Sequence, residues 1–175
     1  MTEDRSSSNQ EPYYYALWET HHGRGVVAQN RGLLEDAVIQ YSIAAFVVSI
    51  DTLGMSRMCR AQSLVALANA YMLLERYDKA LPLLEEALAA RQDLVPECHP
   101  LTAETHHMMA NAYRALKLYA EADRYYRLTS DCLHKLCSLD DPYLKQVVGN
   151  WLVNGAAWNA TNDLATNDYT GGQLA

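Results

Sequence analysis

A chain of 175 residues, half of them hydrophobic and a fifth charged, is long enough to bury a core and has the balance of an ordinary globular protein. Its formal charge of −7 argues against nucleic acid, because phosphate binding needs a surplus of Lys and Arg; the same field favours basic segments of a protein partner. The first residues, "MTEDRSSSNQEP", are polar without the apolar stretch of a secretory leader, and the longest apolar run, 38–50, falls short of the about 20 residues a membrane span needs, so a cytoplasmic location, free thiols and no direct membrane insertion are expected.

From the amino terminus, residues 1–12 are expected to be a disordered, Ser-rich tail. Helices are predicted at about 13–30, 33–53, 57–74, 77–94, 101–116, 119–137 and 143–158. "HHGRG" weighs against the first, since each glycine inside a helix costs about 1 kcal/mol relative to Ala. Leu64, Leu67, Ala68 and Tyr71 form an i, i+3, i+4, i+7 stripe in the third, and Leu81, Leu84, Ala87 and Leu88 mark the fourth. "LLERYDKA" between them reads as a short turn joining antiparallel helices. Pro100 and Pro142 stand where helices start, and Pro82 near the first turn of its helix, where a missing N–H costs little. Residues 159–175 are polar, aperiodic and expected to be flexible.

The chain repeats itself. Shifted by 42 residues, "ANAYMLLERYDKA" at 68–80 lies on "ANAYRALKLYAEA" at 110–122, with Ala68/Ala110, Asn69/Asn111, Ala70/Ala112, Tyr71/Tyr113, Leu74/Leu116, Tyr77/Tyr119 and Ala80/Ala122 identical. The same shift carries His99-Pro100 onto Asp141-Pro142, and a shift of 43 lays "GLLEDAVIQYSIAA" at 32–45 on "ERYDKALPLLEEAL" at 75–88. Small residues at 68, 80, 110 and 122 suit places where two helix backbones approach, with the tyrosines filling the spaces between helices.

These positions resemble the tetratricopeptide repeat (TPR), and the 42-residue spacing with its His-Pro junction is similar to the kinesin-light-chain type. His99, Pro100, Ala103, Thr105, Ala110, Tyr113, Tyr119, Glu121 and Ala122 occupy the places of that repeat. Its paired asparagines are replaced by Val65-Ala66 and His107-Met108, with Asn150 kept in the last half repeat. The resemblance implies an all-α, right-handed TPR solenoid of antiparallel helix pairs over 13–158. It would have about three repeats (13–55, 56–98, 99–140) and a capping helix at 143–158, with 159–175 as the tail.

It also implies that the first helix of each pair lines a concave groove. Carried over, the groove set is Gln62, Val65, Asn69 and Met72, beside Leu73; then His107, Met108, Asn111 and Arg114, beside Glu104; then Gln146 and Asn150, beside Val153. Amides suit a peptide backbone, and methionines suit varied apolar side chains.

The histidines and cysteines read as structural. His106 and His107 are neighbours about 100° apart on a helix and cannot chelate one metal from one face, where i, i+4 spacing is needed. In repeat register His106 takes the core place of Leu64, while His107 takes that of Val65 and is expected on the concave face; His99 is expected to cap. Cys132 and Cys137, at i, i+5, are no ligand pair, and Cys59 has no evident partner. Neither a phosphate loop, a nucleophile elbow nor a carboxylate pair is found, so no catalytic, cofactor or metal site is expected. The function expected is a non-catalytic adaptor that holds a partner peptide or helix in its groove. The alternative is an accessory subunit of a larger complex, contacting partners through its convex face, the "YYYALW" segment, the tails, or an exposed Val47-Val48 patch.

Overall fold

The computed structural model describes residues 11–50, 54–92 and 94–170. Residues 1–10 of the expected amino-terminal tail, 51–53 at the end of the expected second helix, residue 93, and 171–175 of the carboxy-terminal tail lie outside them. Among the described residues there are seven α-helices and no strand: α1 (Glu11–Asn30), α2 (Leu34–Val47), α3 (Gly54–Leu73), α4 (Tyr77–Gln92), α5 (Pro100–Ala115), α6 (Tyr119–Leu136) and α7 (Pro142–Thr170). A 3₁₀ turn, Val48–Ile50, follows α2. The helices fall into two compact units, one ending at Glu97 and one beginning at Cys98. In the first, α1 pairs with α2 and α3 with α4, and α3 also packs on α2; in the second, α5 pairs with α6, and α7 packs on α6. These are consecutive helix pairs packed as in TPR solenoids.

In the first pair a small residue of α1, Gly25, lies beneath a large one of α2, Tyr41, and the repeat register carries the same small and large positions into the other two pairs. Extended upstream, the 43-residue shift places Gly25 on Ala68 and Tyr41 on Leu84; the 42-residue shift carries these to Ala110 and Tyr126. All six are buried. At Gly25 the contact is so close that a Cβ would lie 2.6 Å from the Tyr41 ring. Ala110 and Tyr126 share the core of the second unit with Ala103, Ala122, Leu133, Leu144 and Val147. α1 therefore forms across "HHGRG" because Gly25 admits the Tyr41 ring, and the burial gained there outweighs the propensity lost. Buried side chains of this size are worth about 1.5–3 kcal/mol each.

The turns within pairs repeat too. Gly32, Glu75 and Lys117 all have positive φ, at 76°, 57° and 61°, and occupy one register position. Each closes a Schellman cap: Leu33 N to Ala28 O at 2.9 Å, Arg76 N to Tyr71 O at 2.8 Å and Leu118 N to Tyr113 O at 2.9 Å. Only the first uses glycine, so Glu75 and Lys117 carry a left-handed residue's cost inside an otherwise identical turn. The junctions before α5 and α7 are also alike. His99 Nδ1 accepts from Leu101 N at 3.2 Å, and Asp141 Oδ1 accepts from Tyr143 N at 2.8 Å and Leu144 N at 3.1 Å, with Pro100 and Pro142 opening each helix.

Two helix ends and the place of Pro82 differ from expectation. α2 ends at Val47, where the Ser49 hydroxyl donates to Phe46 O at 2.7 Å and competes with the helical ladder. α7 runs to Thr170, well past 158, because no Pro or Gly follows Gly155 until Gly171 and alanines recur along the way. Pro82 lies beyond the first turn of α4, where it is exposed and denies the Asp78 carbonyl its helical donor.

The two glycines of α1 should respond oppositely to one methyl group. Nothing lies within 4 Å of a Cβ at Gly23, so Gly23→Ala should stabilise by roughly 0.5–1 kcal/mol in urea unfolding. Gly25→Ala, driven into the Tyr41 ring, should destabilise by about 1–3 kcal/mol. The same sign for both would refute the close-contact account of α1.

Candidate peptide-binding face

In the first unit the face carried by α3 is partly open. Gln62 is exposed, Asn69 and Met72 are half-buried, and Leu73 is 53% exposed. Val65, expected on that face, is only 8% exposed; a β-branched apolar side chain here is withdrawn into packing. Asn69 and Asn111 recur in register but meet different neighbours. Position 84, opposite Asn69, is Leu, and among the described residues the Asn69 amide has no hydrogen-bonding partner. Behind this face α1 is tied to α3 by a buried polar knot that sequence reasoning missed. The Trp18 indole N–H donates to Ser63 Oγ at 2.8 Å, and Ser63 Oγ lies 3.2 Å from His22 Nδ1. The His22 ring stacks on Trp18 with centroids 5.2 Å apart, and burial lowers its pKa, which favours the neutral ring beside Ser63.

In the second unit most of the carried-over residues are engaged with one another or with buried tyrosines. His107 departs from its expected place on the open face. It is 5% exposed, because α7 brings Tyr143 and Asn150, two turns apart, onto it: Tyr143 Oη lies 3.1 Å from Nδ1 and Asn150 Nδ2 lies 3.1 Å from Nε2. An amide N–H can only donate, so Nε2 accepts and Nδ1–H donates to Tyr143. Burial, and secondarily the Arg114 charge, push the His107 pKa down to about 4 and keep the ring neutral. Burial, and then Glu104, push the Tyr143 phenol up to about 12.

One turn along, the Tyr126 hydroxyl donates to Asn111 Oδ1 at 2.7 Å and accepts from Arg114 Nε at 3.2 Å. Asn111 and Arg114, both half-buried, are held in fixed poses by this one buried oxygen. Met108 and Asn150 are half-buried and Gln146 is exposed. Of the flanking positions, Glu104 is exposed and Val153 is 55% exposed. α7 is clamped to α6 by Trp151 Nε1–H to Asp123 Oδ1 at 2.6 Å and by the buried Asn154, whose Nδ2 donates to Tyr119 O at 3.1 Å. Neither clamp had a sequence signal, since both join residues of unrelated register.

The remaining Cys and His residues serve packing and capping. His99 caps α5, the His106 ring lies 5.8 Å from that of Tyr125, and His107 faces α7, so the three point to different neighbours. Cys132 is 4% exposed in the core of its unit, its thiol pushed up to about 11 by burial and by the adjacent Cys98 thiol.

The His107 arrangement has a pH signature. Folding holds this pKa below its ordinary value of 6.5, so the stability it contributes is complete above pH 6.5 and is lost as pH falls towards about 4. Urea midpoints of the wild type should therefore fall more steeply between pH 6.5 and 5 than those of His107→Gln. Parallel pH profiles would show that His107 is not enclosed in this way.

Comparison with known proteins agrees with the helix pairs. Residues 59–133 match the sequence model of the tetratricopeptide repeat family. No curated protein sequence matches the chain. Among solved structures, BtubC (BKLC) from P. vanneervenii superposes with a TM-score of 0.76 at 19% identity over 93% of this chain and 67% of that one. The nearly identical TPR-like repeats of a Podosopora anserina protein classed with the kinesin light chains give 0.72 at 21% identity, covering 83% and 68%. The apo form of RapI gives 0.73 at 15% identity over 89% of this chain, which spans 54% of that longer protein. At these identities the likeness is one of fold. The repeat register, the helix pairs and the family match converge on one assignment: residues 59–133 carry tetratricopeptide repeats, and the chain shares its fold with the TPR-like repeats of kinesin-light-chain type.

Proposed function

We propose that this protein is a non-catalytic interaction module that binds a peptide or helix of a partner protein on the faces carried by the first helices of its pairs. The observation that carries this reading is Asn69: a mid-helix amide, half-exposed, without a partner among the described residues, and flanked by Gln62 and Met72. An Asn gains nothing for the helix at such a place, whereas its paired donor and acceptor match a peptide unit. In the second unit, Tyr126 fixes Asn111 and Arg114, which leaves the Asn111 NH₂ and the Arg114 terminal nitrogens to donate to carbonyl groups. Donors already held in place spare a partner the entropy of ordering them. Met72 and Met108 supply adaptable apolar contact. The net charge of −7 would draw basic segments towards the surface before these short-range contacts form. Val65 and His107 lie beneath this surface and support it.

The accessory-subunit reading keeps one specific observation. Ile39 and Phe46 on α2 are 53% and 68% exposed and, with half-buried Ile43, form an apolar stripe. Val47 and Val48, the other candidate patch, are buried at 7% and 2% and drop out of it.

The deciding experiment is a quantitative pull-down with the full chain. Asn69→Ala combined with Asn111→Ala should lose partners that wild type and Phe46→Glu both recover. Recovery unchanged in the asparagine double variant but lost in Phe46→Glu would replace the adaptor reading with the subunit one.

A further inference from the structure

α1 carries a second face, apart from the one assigned above to peptide binding. A concavity of about 350 Å³ is lined by Gly23, Arg24, Val27, Ala28, Arg31 and Leu33. Val27 and Leu33 are 49% and 50% exposed within it, and nothing stands within 4 Å of a Cβ at Gly23. Arg24 lies on α1 and Arg31 follows directly on its last residue, its backbone N–H bonded to Val27 O at 3.2 Å, so that Val27 falls between the two in sequence. Both are exposed, and among the described residues neither side chain makes a hydrogen bond or an ion pair.

The repeat register says what kind of object this face is shaped to receive. The 43-residue shift carries Arg24, Val27 and Arg31 onto Leu67, Ala70 and Leu74. In α3, Leu67 and Ala70, with Leu74 packed against them, are buried against Ala37, Val38 and Tyr41 of α2. The corresponding face of α3 therefore takes a whole helix. On this face Val27 takes the place of Ala70 beside the small Gly23 and Ala28, while the two flanking leucines are exchanged for cations. Two unpaired guanidinium groups in a chain of net charge −7 are complementary to carboxylates, and a guanidinium fork holds a carboxylate through paired N–H donors.

We propose that the Gly23–Leu33 face of α1 docks an amphipathic α-helix of a partner protein, one that sets a small apolar side chain over Val27 and a carboxylate opposite each of Arg24 and Arg31. The helix lies on α1 as α2 lies on α3, with ion pairs replacing the apolar flank. Two arginines offer too little charge to hold a nucleic acid backbone against the acidic surface.

The test uses the full chain and a fluorescein-labelled synthetic helix with Glu at i and i+7 flanking Ala and Leu, together with the same peptide carrying Gln at both places. Anisotropy should show binding of the Glu peptide that weakens with salt, falls roughly tenfold or more with Gln, and falls as far in Arg24→Glu with Arg31→Glu. Gly23→Leu, which fills the concavity where there is space, should also block it. Amide shifts on binding should centre on Gly23, Val27 and Leu33, and Asn69→Ala with Asn111→Ala should bind normally, which separates this face from the one proposed above. Absence of binding, equal affinity for the Gln peptide, or indifference to the arginine reversal would overturn the proposal. So would binding that appears only after residues 1–10 are removed, which would make the chain's own Glu3 and Asp4 the occupants. A molar mass that drops on arginine reversal would make it a second copy.

Discussion

The fold depends on one steric relation: a large side chain on the second helix of each pair needs a small residue beneath it on the first. Tyr41 over Gly25 is the direct contact; Leu84 and Ala68, and Tyr126 and Ala110, hold the same register positions, and all six residues are buried. At Tyr41 the ring lies so close to α1 that even the methyl of Ala is excluded. Interiors packed to crystal density allow no slack at such a contact. Between the two helices of each pair the Schellman turn recurs at one register position, 43 and then 42 residues further along the chain.

The same relation explains how the candidate binding face is supported. When the large residue is Tyr126, its hydroxyl reaches through to Asn111 and Arg114 and fixes them; when it is Leu84, the amide at Asn69 has no hydrogen-bonding partner among the described residues. A core substitution is thereby expressed on the surface as the difference between an anchored and an unanchored amide. His107 adds a second tier, held neutral by burial between Tyr143 and Asn150, so the second unit meets a partner with its polar groups already arranged.

Periodicity and self-similarity made the helices, their pairing and their turns legible, because these depend on local spacing and on residues that recur. Gly25 and Tyr41 were within reach of the same reasoning: the register assigns them once the 43-residue shift is carried upstream, yet a glycine in a helix reads as a cost until its partner is known. The burial of Val65 and His107 was not legible, since register gives a side chain's direction and not what a neighbouring helix brings onto it. The Trp18–Ser63–His22 knot and the Trp151–Asp123 and Asn154–Tyr119 clamps were equally silent, because each joins residues with no shared register. The extension of α7 past 158 is silent in the composition, which is polar there, and legible only in the lack of a helix breaker between Gly155 and Gly171.

α7 supplies an internal control for the central relation. The 42-residue shift carries Ala110 onto Leu152, a large side chain at the position kept small in the three pairs, and Leu152 is 71% exposed with no second helix over it among the described residues. If a facing helix is what enforces smallness, the two positions should respond differently to a change of size. Urea unfolding of Ala110→Leu and Leu152→Ala measures this directly. The account predicts a loss of about 1–3 kcal/mol for Ala110→Leu, from overpacking against Tyr126, and a change within about 0.5 kcal/mol for Leu152→Ala. Similar small effects at both positions would contradict it.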